Sequence, residues 1–102
     1  MELLLTGEPI DATEAHRIGL VNSVVPREEL LNAAHALLAK IMNNGPIAIG
    51  LTMQAVDTGL NSGLEEGLRF EAAAFGLTAA TEDCMEGTNA FLEKRAAVFT
   101  GR

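Results

Sequence analysis

A chain of 102 residues is one domain or part of one, and at 48% hydrophobic but 4% aromatic its core must come from Leu, Ala, Ile and Val, which disfavours a sheet protein. Fourteen acidic residues against seven basic leave a net charge of -7, which argues against nucleic acid and anionic membrane as partners through long-range repulsion. A single cysteine excludes an internal disulfide and fits a reducing cytoplasm, and no apolar run approaches the roughly 20 residues that cross a bilayer.

The sequence predicts an all-α chain of about five to six short helices. MELLLTG reads as the end of a helix that begins upstream, with Gly7 as its left-handed stop. After Glu8-Pro9, Asp11 starts a second helix; Glu14, three residues on, completes a capping box, and Gly19 ends the helix. Residues 20–25 form an apolar run broken by Asn22-Ser23, expected as a short extended segment because Pro26 disfavours the α region at Val25.

Pro26 suits the first helical position, with Glu28 and Glu29 against the positive end of the dipole. Leu30, Ala34, Leu37 and Ile41 then make an apolar stripe, widened by Leu31 and Leu38. Asn43-Asn44-Gly45-Pro46 stops that helix and starts the next, whose stripe is Ile49, Met53, Val56 and Leu60 and whose end is near Asn61. Ser62 and Glu65 offer another capping box ahead of Leu68, Ala72, Phe75 and Ala79. Asp83 and Glu86 offer a third, and the final helix carries Thr88, Phe91, Leu92 and Arg95. Leu3-Leu4-Leu5 and Ala72-Ala73-Ala74-Phe75 place apolar residues on more than one side, so a partner chain or a further domain is expected to cover them.

Candidate chemistry is sparse. His16 and His35 fall on different helices without the i, i+4 spacing of a ligand pair, and Cys84 has no histidine beside it in sequence. Glu65-Glu66 and Glu82-Asp83 sit at helix starts, where capping and the dipole already account for them. The residues therefore indicate no catalytic group, no metal site and no cofactor. Lys94-Arg95 reads either as a helix-stabilising pair in the last turn or as part of a binding site. In the second reading Phe75 and Phe91 supply flat apolar surfaces for a nucleotide base while Lys94 meets a phosphate. Composition leaves both open.

LLLTGEPIDATEAHRIGLVNSVVP and ATEDCMEGTNAFLEKRAAVFTGR resemble the C-terminal part of the enoyl-CoA hydratase/isomerase, or crotonase, family. The resemblance runs from Met1 to Arg102 and implies one helical domain that builds the family's trimer and covers acyl-CoA sites of fatty-acid metabolism. It places the backbone amides of the oxyanion hole and the proton-moving acids in a core upstream, so this chain alone is expected to assemble but not to hydrate an enoyl-CoA. Phe75 and Lys94 match positions that in similar proteins contact the CoA adenine and its phosphate, often across a subunit boundary, and Phe91 matches a neighbouring aromatic. The sequence departs from the family pattern at Cys84-Met85, where two arginines are common, and at Ala97, where proline is usual.

The implied partners are further copies of the chain, as a trimer or a swapped dimer, CoA or acyl-CoA, and the upstream catalytic domain. Two alternatives stand beside this reading: a stand-alone CoA or nucleotide-binding module, and a purely structural, self-associating helical protein.

Overall fold

The computed structural model describes residues 1–102. It is all-α, with α1 (Glu2–Thr6), α2 (Ala12–Arg17), a 3₁₀ turn (Arg27–Glu29), α3 (Leu30–Met42), α4 (Pro46–Asn61), α5 (Leu64–Ala79) and α6 (Glu82–Glu93), and no strand. The chain divides into two compact units, Met1–Ala36 and Leu37–Arg102. No helix is long and apolar enough to cross a membrane.

The first unit is built from short local signals. Gly7 adopts φ 66 and donates to Leu3 O at 3.2 Å, closing α1 with the left-handed stop its sequence predicts. Asp11 caps α2 by accepting the Glu14 N–H at 2.7 Å. The reciprocal half of the box does not form, because the Glu14 carboxylate turns instead to Arg17 through two 2.6 Å bonds. Gly19, at φ 75, follows the helix end, and the next amides fold back onto Ala15, the buried residue of this unit. The apolar run after Gly19 is non-helical, with bends over 20–22 and no regular structure over 23–26; it pairs with no other strand. Pro26 stands one place before its expected position. Its ψ of 148 leaves it outside the helix as the cap of the 3₁₀ turn, whose first bond runs from Glu29 N to Pro26 O.

In the second unit Asn44 closes α3, donating from Nδ2 to the Lys40 and Ile41 carbonyls at 3.1 Å, and Pro46 opens α4 where its missing N–H costs nothing. The α4–α5 pair is an αα-hairpin joined by Ser62-Gly63. The predicted Ser62–Glu65 capping box is absent. Gly63, extended at φ -70 and ψ 152, is the cap residue and starts α5 one position later, so Ser62 Oγ donates to Gly63 O and Glu65 pairs with Arg69 at 2.6 Å.

Close approach fixes the hairpin. A Cβ on Gly67 would lie 3.1 Å from Gly59 Cα, so the glycine admits a backbone approach that a side chain would open by a few tenths of an ångström. Small size also marks what little is buried: Ala74 and Ala90 are the only buried apolar residues of this unit. Met53, Val56 and Leu60 of α4 and Leu64, Leu68 and Phe75 of α5 are all more than half exposed. The stripes that give these helices their amphipathic pattern are therefore largely surface.

Candidate functional site

Helix α6 begins at a threonine. Thr81 Oγ1 accepts the Cys84 N–H at 3.1 Å and donates to Thr78 O at 2.7 Å, so one hydroxyl both caps α6 and ties off α5. Asp83, expected as the cap, instead lies in the first turn and is 5% exposed. Its carboxylate accepts the backbone N–H groups of Thr100 at 2.7 Å and Gly101 at 2.9 Å, while its own N–H donates to Arg102 O at 3.0 Å. One of the orphan amides at the helix start is thereby satisfied by a segment distant in sequence. Residues 96–102 are thus a strap, pinned across the beginning of α6.

Glu86 holds the same strap from the next turn. It accepts the Val98 N–H at 2.8 Å and receives the Arg95 guanidinium through a bidentate pair, Nη1 to Oε1 at 2.6 Å and Nη2 to Oε2 at 2.8 Å. The Arg95 bonds first, and then the Val98 amide, hold the Glu86 carboxyl down at about 2, against a smaller upward push from desolvation. The same Glu86 pairing, followed by that with Glu93, drives Arg95 above its ordinary value. Glycines let the strap lie close. A Cβ on Gly87 would sit 3.4 Å from Phe99 Cε1, and one on Gly101, at φ 78, would meet Pro46 Cγ at 3.2 Å.

Lys94 and Arg95 are not in the last turn as predicted. The helix ends at Glu93, and Lys94 turns left-handed at φ 55 and ψ 39, the only residue other than glycine with positive φ. Lys94 N donates to Phe91 O at 3.3 Å and Arg95 N to Ala90 O at 3.0 Å, the two bonds of a Schellman motif at the position that glycine usually fills. A side chain there costs roughly 1–2 kcal/mol of backbone strain. Arg95 is taken up by Glu86 and Glu93, whereas no carboxylate pairs with Lys94.

The structure does not gather Phe75, Phe91 and Lys94 into one hollow. Phe75, 76% exposed, lines a groove of about 450 Å³ along α4 and α5, with Leu51, Val56, Leu64 and Leu68. Phe91, 82% exposed, lines a neighbouring cleft of about 470 Å³ whose wall includes Cys84, Thr88 and the strap residue Phe99. Ala48 and Thr78 line both, so the hollows adjoin; Lys94 lines neither. His16 and His35 are exposed on α2 and α3, and no three His, Cys, Asp or Glu side chains converge. Sequence reasoning missed Thr81 as the cap and Asp83 and Glu86 as clamps; Gly87 and Gly101, placed to admit the strap, were the available signal.

Comparison with known proteins places this arrangement. The family model for enoyl-CoA hydratase/isomerase matches residues 1–102. A crotonyl-CoA hydratase of Syntrophomonas wolfei is 44% identical over 101 residues, covering 99% of this chain and 39% of the relative. A short-chain-enoyl-CoA hydratase of Clostridium acetobutylicum is 44% identical over 94 residues, covering 92% and 36%. The crystal structure of an enoyl-CoA hydratase from Bacillus anthracis superimposes with a TM-score of 0.95 at 40% identity, over 99% of this chain and 39% of that one. The chain thus spans about two fifths of the length of these relatives. With the whole of its length matched in sequence and in helical fold, the chain belongs to the enoyl-CoA hydratase/isomerase family and corresponds to its C-terminal part.

Proposed function

We propose that residues 1–102 serve as the helical oligomerisation domain of a cytoplasmic acyl-CoA enzyme, contacting CoA through Phe75, Phe91 and Lys94. The relatives named above are hydratases of enoyl-CoA thioesters, and this reading gives the parent protein the same substrate class. No residue here takes a catalytic role in it; the oxyanion hole and the proton-moving acids belong to the upstream core. The observation that carries the CoA contact is Lys94, a cation held on a left-handed turn with no carboxylate partner, three residues after the exposed Phe91. An ammonium is a compact partner for a phosphate, and an exposed ring is a stacking surface for an adenine.

Assembly rests on a second observation, the uncovered apolar face of α4 and α5. Extended hydrophobic surface of this kind is normally buried against a partner. A homo-oligomer, with CoA held between subunits, accounts for both features and for the separation of Phe75 from Phe91.

Titration calorimetry with CoA is the direct test. Binding by the chain, weakened about tenfold in Lys94→Ala as expected for loss of a charged hydrogen bond, supports the contact. Undetectable binding, or equal affinity in the variant, rejects it. Hydration of crotonyl-CoA by the 102-residue chain would overturn the assignment of chemistry to residues upstream.

A further inference from the structure

Lys94 owes its place to the residue after it. The left-handed turn at Lys94 reverses the chain at the end of α6, and Arg95 then reaches back nine residues to Glu86. Glu86 takes both Arg95 Nη groups and, with the same carboxylate, the Val98 N–H at 2.8 Å. It therefore grips the chain at two points just beyond Lys94, while the backbone bonds to Ala90 and Phe91 grip it before the turn. Glu93 takes Nε at 2.6 Å and Ala96 O accepts a second bond from Nη1 at 3.1 Å. With Arg95 engaged by two carboxylates, Lys94 is the cation at this helix end that no carboxylate pairs with. A strained residue persists only where its surroundings over-determine it, and here the over-determination is this ion-pair network.

We infer that Glu86 is a positioning residue: by holding Arg95 it keeps Lys94 in its left-handed turn and so presents the ammonium to an incoming phosphate. This rests on the CoA reading given under Proposed function. A role confined to anchoring the strap would leave Lys94 unaffected, and that difference is measurable.

The experiment uses the chain itself, Glu86→Gln, Lys94→Ala and the double variant, read by calorimetry with CoA and by amide hydrogen exchange. Glu86→Gln is expected to speed exchange at the Lys94 and Arg95 amides about tenfold and to raise the Kd for CoA about fivefold, within the coupling typical of one ion-pair network. Protection of Glu14 in α2 should be unchanged, which reports that the variant remains folded elsewhere. In the Lys94→Ala background the Glu86 substitution should cause no further loss of affinity. Unchanged exchange at Lys94 overturns the inference, as does an equal loss of affinity with and without the Lys94 side chain. If CoA binds no better with Lys94 than without it, the CoA reading itself fails, and the exchange result still decides whether Glu86 holds the turn. Should Glu86→Gln fail to fold, Arg95→Lys keeps the charge but loses the fork. It should speed exchange at Lys94 about threefold, and no change there also overturns the inference.

Discussion

Two kinds of adhesion divide this chain. In residues 1–36 the side-chain hydrogen bonds join partners at most four positions apart, as in Thr6 to Glu2, Glu14 to Asp11 and Arg17 to Glu14. In residues 37–102 Asp83 and Glu86 reach partners 9 to 18 positions away. Each unit has almost no apolar core of its own, so these bonds are what distinguish them. A local bond steadies one turn, and losing it frays that turn. A long-range bond holds a whole segment, and losing it releases everything beyond.

The sharpest way to break that comparison is to cut one bond of each kind. Asp83→Ala strands the Thr100 and Gly101 amides and is expected to destabilise the chain by about 3 kcal/mol, with protection lost across the strap. Asp11→Ala removes a helix cap and should cost only about 1 kcal/mol, confined to α2. Urea unfolding with residue-level hydrogen exchange checks both. Equal, local effects would erase the distinction.

A pair of glycines probes the same contrast more gently. Gly7 and Gly101 have similar backbones, φ 66 and φ 78, but a Cβ on Gly7 meets nothing within 4 Å whereas one on Gly101 meets Pro46 Cγ at 3.2 Å. Gly7→Ala should therefore cost about 1 kcal/mol from backbone strain alone, and Gly101→Ala about 2 kcal/mol because the strap must also shift. Thermal unfolding that moves equally in the two variants would show that the strap contact adds nothing.

Acid gives the smallest effect. The Glu86 carboxyl is held down at about 2, so its hold on the strap is fully present above the ordinary carboxylate range and is lost as pH falls through the folded value. Glu14 is lowered by Arg17 in the same direction, but that pair is local and exposed. Between about pH 5 and pH 2, Val98 and Arg95 amide protection should fall by more than that in α2. An equal fall in both units would contradict the separate hold on the strap.

What was legible in the sequence follows the same divide. Gly7, Gly19, Asp11 and Pro46 act through their own backbones and nearest neighbours, and the structure puts them where local chemistry predicts. Asp83 and Glu86 carry the same spacing as a capping box, and nothing in their identity reveals that their donors are backbone amides far downstream. Lys94 gave no sign of a left-handed turn because that signal is normally a glycine. The family was legible from its two motifs. The placement of Phe75 and Phe91 on adjoining hollows was not, since it depends on how α5 and α6 pack.

The open face of α4 and α5 also bears on the self-association proposed above. Each copy brings the same charge of -7 to any contact, so apolar burial works against a repulsion that reaches about 10 Å at 0.1 M salt. Added salt screens that repulsion, and sulfate strengthens burial as well, so the two influences act together. Ionic strength is thereby expected to control the proposed assembly, tightening it where an interface made of ion pairs would loosen.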